Sequence, residues 1–411
     1  MKKIDAIVVG AGVVGVTAAL ALQQRGLKVI ILDQGPPGQG CSFGNAGVIS
    51  PTGFPLSAYY RAFNLPTQLL KVSSPATVDW ASVPRLLSWG IKYAKATRPD
   101  EVRRDTALLH ELARHALSSY ELLLGADLPP INRRGYLLVH LSESEVRRAI
   151  SSNSIRTSHG AAVRLLSNAE LVEMEPVVRG LRTGATFVEQ AAHVTDPAAF
   201  VGSLATVFVQ RGGLLQCERV LTVESKTNGD VIVRGARANY FPSMVVLATG
   251  AYVNQLLVRC GHKIPLIAER GYHVELDVEP GFIRRPITLP SLGAVLTPSE
   301  RGARIAGLSH FGSPGFKART QLLSSALERI RKRIPALKPR FGCQIWSGER
   351  PATPDSVPIV EQVPAHCRLF VVTGHGHAGL SLGAVTARIL ADLVTGKVSG
   401  YSSQLSSERF G

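Results

Sequence analysis

The chain has 411 residues, 45% apolar and 18% charged, which is enough for two packed domains and too apolar for a disordered chain. Lys and Arg outnumber Asp and Glu by 46 to 30, a net charge of +16, yet the basic residues are scattered; without a Lys/Arg block or an aromatic-interleaved basic run, no nucleic-acid surface is expected. The five cysteines, Cys41, Cys217, Cys260, Cys343 and Cys367, are odd in number and widely spaced with no Cys-x-x-Cys pair, so no metal is expected and a reducing, cytoplasmic setting fits.

At the N-terminus, the nearly uncharged run from Ile4 to Leu22 imitates a signal peptide or a membrane span. Asp5 interrupts it, and glycines at 10, 12 and 15 give it another meaning: a buried strand Ile4 to Val9, a turn Gly10-Ala11-Gly12-Val13-Val14-Gly15, a helix Val13 to Gln24 closed by Gly26, and a second strand Leu27 to Leu32. Gly10 suits the tight turn, Gly12 the approach of a pyrophosphate to the backbone, and Gly15 close helix-to-strand packing. Asp33 stands 18 residues beyond Gly15, where a carboxylate can accept from ribose hydroxyls. The fingerprint alone does not separate FAD from NAD.

Further along, the small-residue segment Gly40-Cys41-Ser42-Phe43-Gly44-Asn45-Ala46-Gly47 permits a second backbone approach to a cofactor. From Phe54 to Ala96, Tyr59, Tyr60, Phe63, Trp80, Trp89 and Tyr93 mingle with Arg61, Lys71, Arg85, Lys92 and Lys95, and Arg85 to Lys95 reads as an amphipathic helix that either lies on an anionic bilayer or packs on the core. Met244 to Leu247 is a strand leading into Ala248-Thr249-Gly250-Ala251-Tyr252. Tyr272 to Leu276, Gly293 to Thr297 and Arg304 to Leu308 read as short strands, and Ser324 to Ile334 as an amphipathic helix. Near the C-terminus the strand, glycine loop and helix logic returns: Leu369 to Val372, then Thr373-Gly374-His375-Gly376-His377-Ala378-Gly379, then about four turns of helix. A helix N-terminus there suits negative charge developing on a flavin.

Together these motifs, with Trp346-Ser347-Gly348-Glu349-Arg350-Pro351-Ala352-Thr353-Pro354-Asp355, resemble the D-amino acid oxidase superfamily of FAD-dependent oxidoreductases. The likeness is greatest to the branch of bacterial D-amino acid dehydrogenases and their glycine oxidase and D-hydroxyproline dehydrogenase relatives. The resemblance implies an α/β protein: a Rossmann-like FAD-binding domain of the glutathione-reductase type (residues 1–55, 145–265 and 341–411) with an inserted α+β substrate domain built on an antiparallel sheet (56–144 and 266–340). It also implies that FAD is held without a covalent link, at Gly10, Gly12, Val14, Gly15, Asp33, Gln34, Cys41, Ser42, Asn45, Ala46, Gly47, Val48, Val220, Thr249, Gly250, Arg350 and the run from His375 and Gly376 through His377, Ala378, Gly379 and Leu380.

In similar enzymes the arginine that maps onto Arg350 grips a substrate carboxylate, for which a planar guanidinium is geometrically suited. At His377 the chain departs from the glycine oxidase pattern, which has a second carboxylate-binding arginine. Contact with substrate and shaping of the loop are equal readings for His377. Tyr272 and His310 are further substrate-contact candidates, with core roles equally open, and Arg270 falls where the family approaches the flavin edge. The implied reaction is hydride transfer from Cα of a small D-amino acid to flavin N5, giving an imine that hydrolyses to a keto acid. Alternatives are a secondary amine such as D-hydroxyproline, or sarcosine or glycine, and, from another class, a flavin-binding subunit of a heteromeric complex. The electron acceptor is either the respiratory chain or oxygen, with peripheral contact on the inner face of the cytoplasmic membrane as a second expectation for location.

Overall fold

A computed structural model describes residues 4–58, 74–181, 183–226, 229–300, 302–338, 341, 345–397 and 400–411. Tyr59, Tyr60, Arg61, Phe63, Lys71 and Cys343, singled out above, lie outside the described residues.

The apolar N-terminal run folds as the centre of a six-stranded sheet. Ala6–Val9 pairs in parallel with Met244–Leu247 on one side and Val29–Asp33 on the other. Leu369–Thr373 and Leu214–Cys217 extend the parallel sheet, and Ile359–Gln362 closes one edge antiparallel. Central parallel strands are covered on both faces, which is why all four residues of Ala6–Val9 are apolar and buried. One face carries the fingerprint helix Val13–Gln24, packed against Pro197–Gln210 and the C-terminal helix Gly379–Val394. Among the described residues one helical stretch, Gly376–Val394, is long and apolar enough to cross a bilayer. It serves here as a core helix, with Leu380, Leu382, Ala384, Ala387 and Leu390 buried in the same cluster as Val16 and Leu20.

A second, nine-stranded sheet is mostly antiparallel and runs in the order Trp346–Ala352, Ile267–Leu276, Gly302–Gly312, Ala294–Ser299, Ile287–Leu289, Tyr136–Val139, Ala185–Val188, Val163–Leu166, with Ala76–Val78 added beside Gly302–Gly312. One face is covered by the helix Gln321–Arg331, whose Leu323, Ala326, Leu327 and Ile330 form a single stripe at helical spacing.

Sheet membership moves the expected domain limits. Val163–Leu166 and Ala185–Val188 were expected in the FAD domain but hydrogen-bond into the second sheet, as does the strand carrying Arg350. Conversely, the helices Pro99–Ala113 and Ala116–Leu124, expected in the substrate domain, bury Leu108, Leu109, Leu112, Tyr120 and Leu123 in the core of the fingerprint helix. An amphipathic stripe fixes that a helix must be covered, not by which sheet.

The helix Val83–Ala96 forms as expected. Its aromatic residues turn inward: Trp89 and Tyr93 stack at 5.1 Å, and Trp89 Nε1 donates to the Ala352 carbonyl at 3.1 Å. Lys92 Nζ donates to the Phe410 carbonyl at 2.7 Å. Leu87 and Ile91 face outward, 62% and 74% exposed.

Candidate active site

The first half of the site is a cradle at the C-terminal edge of the parallel sheet. Gly10 has φ +110°, and a Cβ there would lie 2.6 Å from the Ala248 carbonyl oxygen. At Gly15 a Cβ would lie 1.9 Å from the Gly10 oxygen, so helix and strand approach only because that atom is missing. Gly12 differs: a Cβ would meet only Ser42 Oγ at 3.3 Å, so its small size serves space outside the packed protein. The N-terminal end of the helix gathers donors, with Val13 N–H donating to Ser42 Oγ at 3.0 Å. Asp33 is fixed by the Ala11 amide at 2.6 Å and the Gly35 amide at 3.0 Å.

Asn45 Oδ1 accepts from the Gly47 amide at 2.8 Å, bending the small-residue loop; Ala46 lies within the bend, and Val48 pairs with His193 beyond it. Cys217, whose thiol meets the Gln34 carbonyl at 3.5 Å, and the Glu218 amide, 2.7 Å from the Asp33 carbonyl, bring the start of the strand Val220–Ser225 beside Asp33. Thr249 Oγ1 is buried with no partner among the described residues, while Gly250 offers its carbonyl to Thr373 Oγ1 at 3.1 Å. An open amide-rich helix end, a fixed terminal carboxylate and an orphaned hydroxyl at the same sheet edge fit a dinucleotide.

Across from the cradle stands one face of the second sheet. Strand alternation puts Ile267, Glu269, Gly271 and His273 on that face, and the register sets Glu269 beside Arg350 and Gly271 beside Gly348. Arg350 lies flat over Gly271, where a Cβ would be 2.1 Å from Nη2. Its Nη1 donates to the Leu308 carbonyl at 3.1 Å and to Glu269 Oε1 at 3.3 Å. Leu308 can present that carbonyl because the strand Gly302–Gly312 bulges there, with Leu308 at φ +62°, a conformation a leucine adopts only under constraint.

Glu269 is the residue that reading the sequence missed. It is 2% exposed, and the same oxygen accepts from Ser309 Oγ at 2.6 Å and from His377 Nε2. Burial works to raise its carboxyl, but the His377 charge and hydrogen bond, followed by Arg350 and Ser309, hold it down at about 2. The available signal was a lone acid on the buried face of an apolar strand, Ile267-Ala268-Glu269.

Among the contacts that join the site to the cradle, two reach the small-residue loop. Arg304, ion-paired to Glu275 at 2.7 Å, donates from Nη1 to the Phe43 carbonyl at 3.1 Å and the Asn45 carbonyl at 3.3 Å. His273 stacks between Phe43 and Trp346 at 5.6 and 4.9 Å, and a Cβ at Gly44 would sit 1.6 Å from the Trp346 ring.

Residues 5–393 match the family model described as DAO, FAD dependent oxidoreductase. The chain belongs to this family. FAD is therefore its cofactor, as the cradle suggests, and the protein is an FAD-dependent oxidoreductase. Among curated relatives, a D-amino-acid oxidase of Bradyrhizobium diazoefficiens is 28% identical over 95% of this chain and 94% of its own length. A D-amino acid dehydrogenase of Dechloromonas aromatica is 26% identical over 95% and 97%. The crystal structure of glycine oxidase from Geobacillus kaustophilus superposes with a TM-score of 0.74 at 20% identity, covering 99% of this chain and 98% of that one. L-amino acid deaminase from Proteus vulgaris gives 0.75 at 17% identity, covering 100% and 97%. These superpositions share the α/β fold with a parallel sheet.

Within this DAO-family site, Arg350 and His377 come together as candidates and Tyr272 and His310 do not join them. Tyr272 Oη and His310 Nδ1 bond to each other at 2.8 Å on the reverse face of the sheet, where the Arg319 amide also donates to Tyr272 at 3.0 Å. Burial, with Arg319 and Arg270 nearby, lowers His310 to about 4. Arg270 is on that reverse face too, paired with Glu349, and not at the Arg350 face. His375 turns its ring into the protein, with Nε2 2.9 Å from Thr386 Oγ1 and burial lowering it to about 3, so only its backbone is left for a cofactor. Gly376 and Ala378 form the turn that follows, and Gly379 and Leu380 open the C-terminal helix, with Tyr120 Oη donating to the Leu380 carbonyl at 2.8 Å.

Proposed function

We propose that this enzyme oxidises the Cα–N bond of a small amino acid, a D-amino acid foremost, with Arg350 holding the substrate carboxylate. The observation that carries this reading is the Arg350 guanidinium laid over Gly271, its Nη1 anchored by Leu308 and Glu269 on the sheet face opposite the cradle. Anchoring one edge pre-orients the planar group, so little freedom remains to be lost on binding. Bound FAD supplies the two-electron acceptor for the Cα–H. Gly10, Gly12, Asp33, Ser42 and the first amides of the two glycine-loop helices are the residues to hold it. The chain contributes orientation more than acid–base chemistry: the carboxylate is fixed, the amine reacts as the neutral base, and the imine hydrolyses in water.

The two relatives named above as a D-amino-acid oxidase and a D-amino acid dehydrogenase support this choice over a secondary amine. The test is anaerobic bleaching of the flavin by a panel of D-amino acids, glycine, sarcosine, and the isomers of proline and hydroxyproline. Bleaching by primary D-amino acids with high efficiency is expected; bleaching by cyclic or N-methylated amines alone would replace the reading with that of a secondary-amine dehydrogenase. Oxygen consumption against reduction of an artificial acceptor separates oxidase from dehydrogenase. No turnover by the single chain would point to a subunit of a larger complex.

For location, we propose contact with an anionic membrane surface through the outward side of Val83–Ala96. Leu87, Ile91 and the nearby Trp80 are exposed there, with Arg85 and Lys95 beside them. Co-sedimentation with anionic vesicles at low salt tests it, and absence of binding there refutes it.

A further inference from the structure

Glu269 brings to the site an oxygen that the protein leaves unused. Its Oε1 takes three donors: Arg350 Nη1 at 3.3 Å, Ser309 Oγ at 2.6 Å, and His377 Nε2. Its Oε2 has no hydrogen-bond partner among the described residues, yet it is not one of the side-chain atoms sealed from solvent without a partner, so it borders the open side of the site. Arg350 is left in the same way. Nη1 is anchored, while Nη2 has no partner among the described residues and is not sealed off either.

A carboxylate is a poor anchor for an arginine that only receives an anion. The Leu308 carbonyl anchors the same Nη1 without cancelling its charge, whereas Glu269 subtracts from the attraction for an incoming carboxylate. That cost becomes a gain for a ligand that carries its own positive charge beside the negative one, because each buried charge then meets its opposite. Free amino acids are such ligands. Their ammonium and carboxylate hang from one carbon, so the receivers must be almost in contact, as Glu269 and Arg350 are at 3.3 Å. Among the described groups gathered at Arg350, Glu269 is the one anionic acceptor: Ser309 and the Leu308 carbonyl bring dipoles, and Glu349 is taken by Arg270 on the reverse face. Held at about 2 by its donors, Glu269 stays ionised.

We infer that Glu269 receives the ammonium group of the substrate: Oε2 takes the amine while Arg350 takes the carboxylate, so the site selects zwitterions over plain carboxylates, 2-hydroxy acids and N-acylated amino acids. The inference rests on the reading of Arg350 as carboxylate holder. It concerns recognition; the bound ammonium gives one proton to water before the neutral amine reacts.

The test uses the FAD-loaded enzyme reduced with dithionite under anaerobic conditions, whose flavin cannot accept a further hydride, so that D-alanine binds without turnover. Calorimetry compares D-alanine with isobutyrate, which has a methyl group where D-alanine has its ammonium. Wild type should bind D-alanine about 10- to 100-fold more tightly, the range of a hydrogen bond to a charged group. Glu269→Gln should erase that preference, weakening D-alanine and tightening isobutyrate, because Arg350 is then uncompensated. A Glu269 that only anchored Arg350 would weaken both ligands alike, so an unchanged ratio in the variant overturns the proposal, as does a wild type that binds the two equally. Should Glu269→Gln fail to fold, the wild-type ratio decides, together with Glu269→Asp, which withdraws the carboxylate by one methylene group and should lower the ratio. In each overturning case Arg350 keeps its role as long as isobutyrate binds. Binding of neither ligand overturns both.

Discussion

Gly271→Ala is the substitution whose effect follows most directly from the geometry. The added Cβ would lie 2.1 Å from Nη2, 2.3 Å from Cζ and 2.9 Å from Nη1 of Arg350, where ordinary contact begins at 3.4 Å. Nη2 must therefore retreat by about 1.3 Å, away from the sheet and from the Leu308 and Glu269 anchors. Folding should barely notice, since the clash is with the end of a flexible side chain and alanine replaces a glycine that no turn requires. Catalysis should notice strongly: a misplacement of about 1 Å in a positioning group costs on the order of 100-fold, or about 2.7 kcal/mol of transition-state binding. The assay is kcat/KM for the preferred amino acid with an artificial electron acceptor, beside FAD content and Tm. A variant with full FAD, an unchanged Tm and wild-type efficiency would refute the placement of Arg350 as substrate holder.

Gly12→Val should leave the apoprotein folded, because Gly12 has ordinary extended angles (φ −71°, ψ 175°) and only Ser42 Oγ nearby, yet abolish FAD binding; yellow protein after purification would contradict this. Acid precipitation of the wild type should release all of its FAD, and flavin retained in the pellet would mean a covalent link. Arg350→Lys keeps the charge and loses the planar fork, so kcat/KM for carboxylate substrates should fall by ~2 to 4 kcal/mol with FAD still bound. Asp105 is buried, and burial, followed by the charge of Asp355, pushes its carboxyl up to about 6. A raised folded-state value means its stabilisation is complete below about pH 4 and lost as pH climbs toward 6, so Asp105→Asn should gain on wild type over that window by ~1 to 3 kcal/mol in urea unfolding. A constant difference across the window would exclude the effect.

The parts of this protein written in the sequence by itself are those whose physics is local. Gly10, Gly12, Gly15 and Asp33 fall within a single strand, turn, helix and strand, so spacing alone announces a dinucleotide cradle, and the family match bears out FAD. Arg350 was legible from its motif. Tertiary structure decided the rest. Strand alternation and the Leu308 bulge determine that Tyr272 and His310 face away from Arg350, and a bulge leaves no mark in hydrophobic periodicity. Sheet register brings Glu269 beside Arg350 and the C-terminal loop brings His377 to both, 81 and 108 residues from Glu269 along the chain. Whether Val163–Leu166 belongs to one domain or the other, and whether Trp89 faces inward or outward, depends on a partner surface supplied from elsewhere in the chain. An apolar stripe states that burial is needed; only the packed fold says against what.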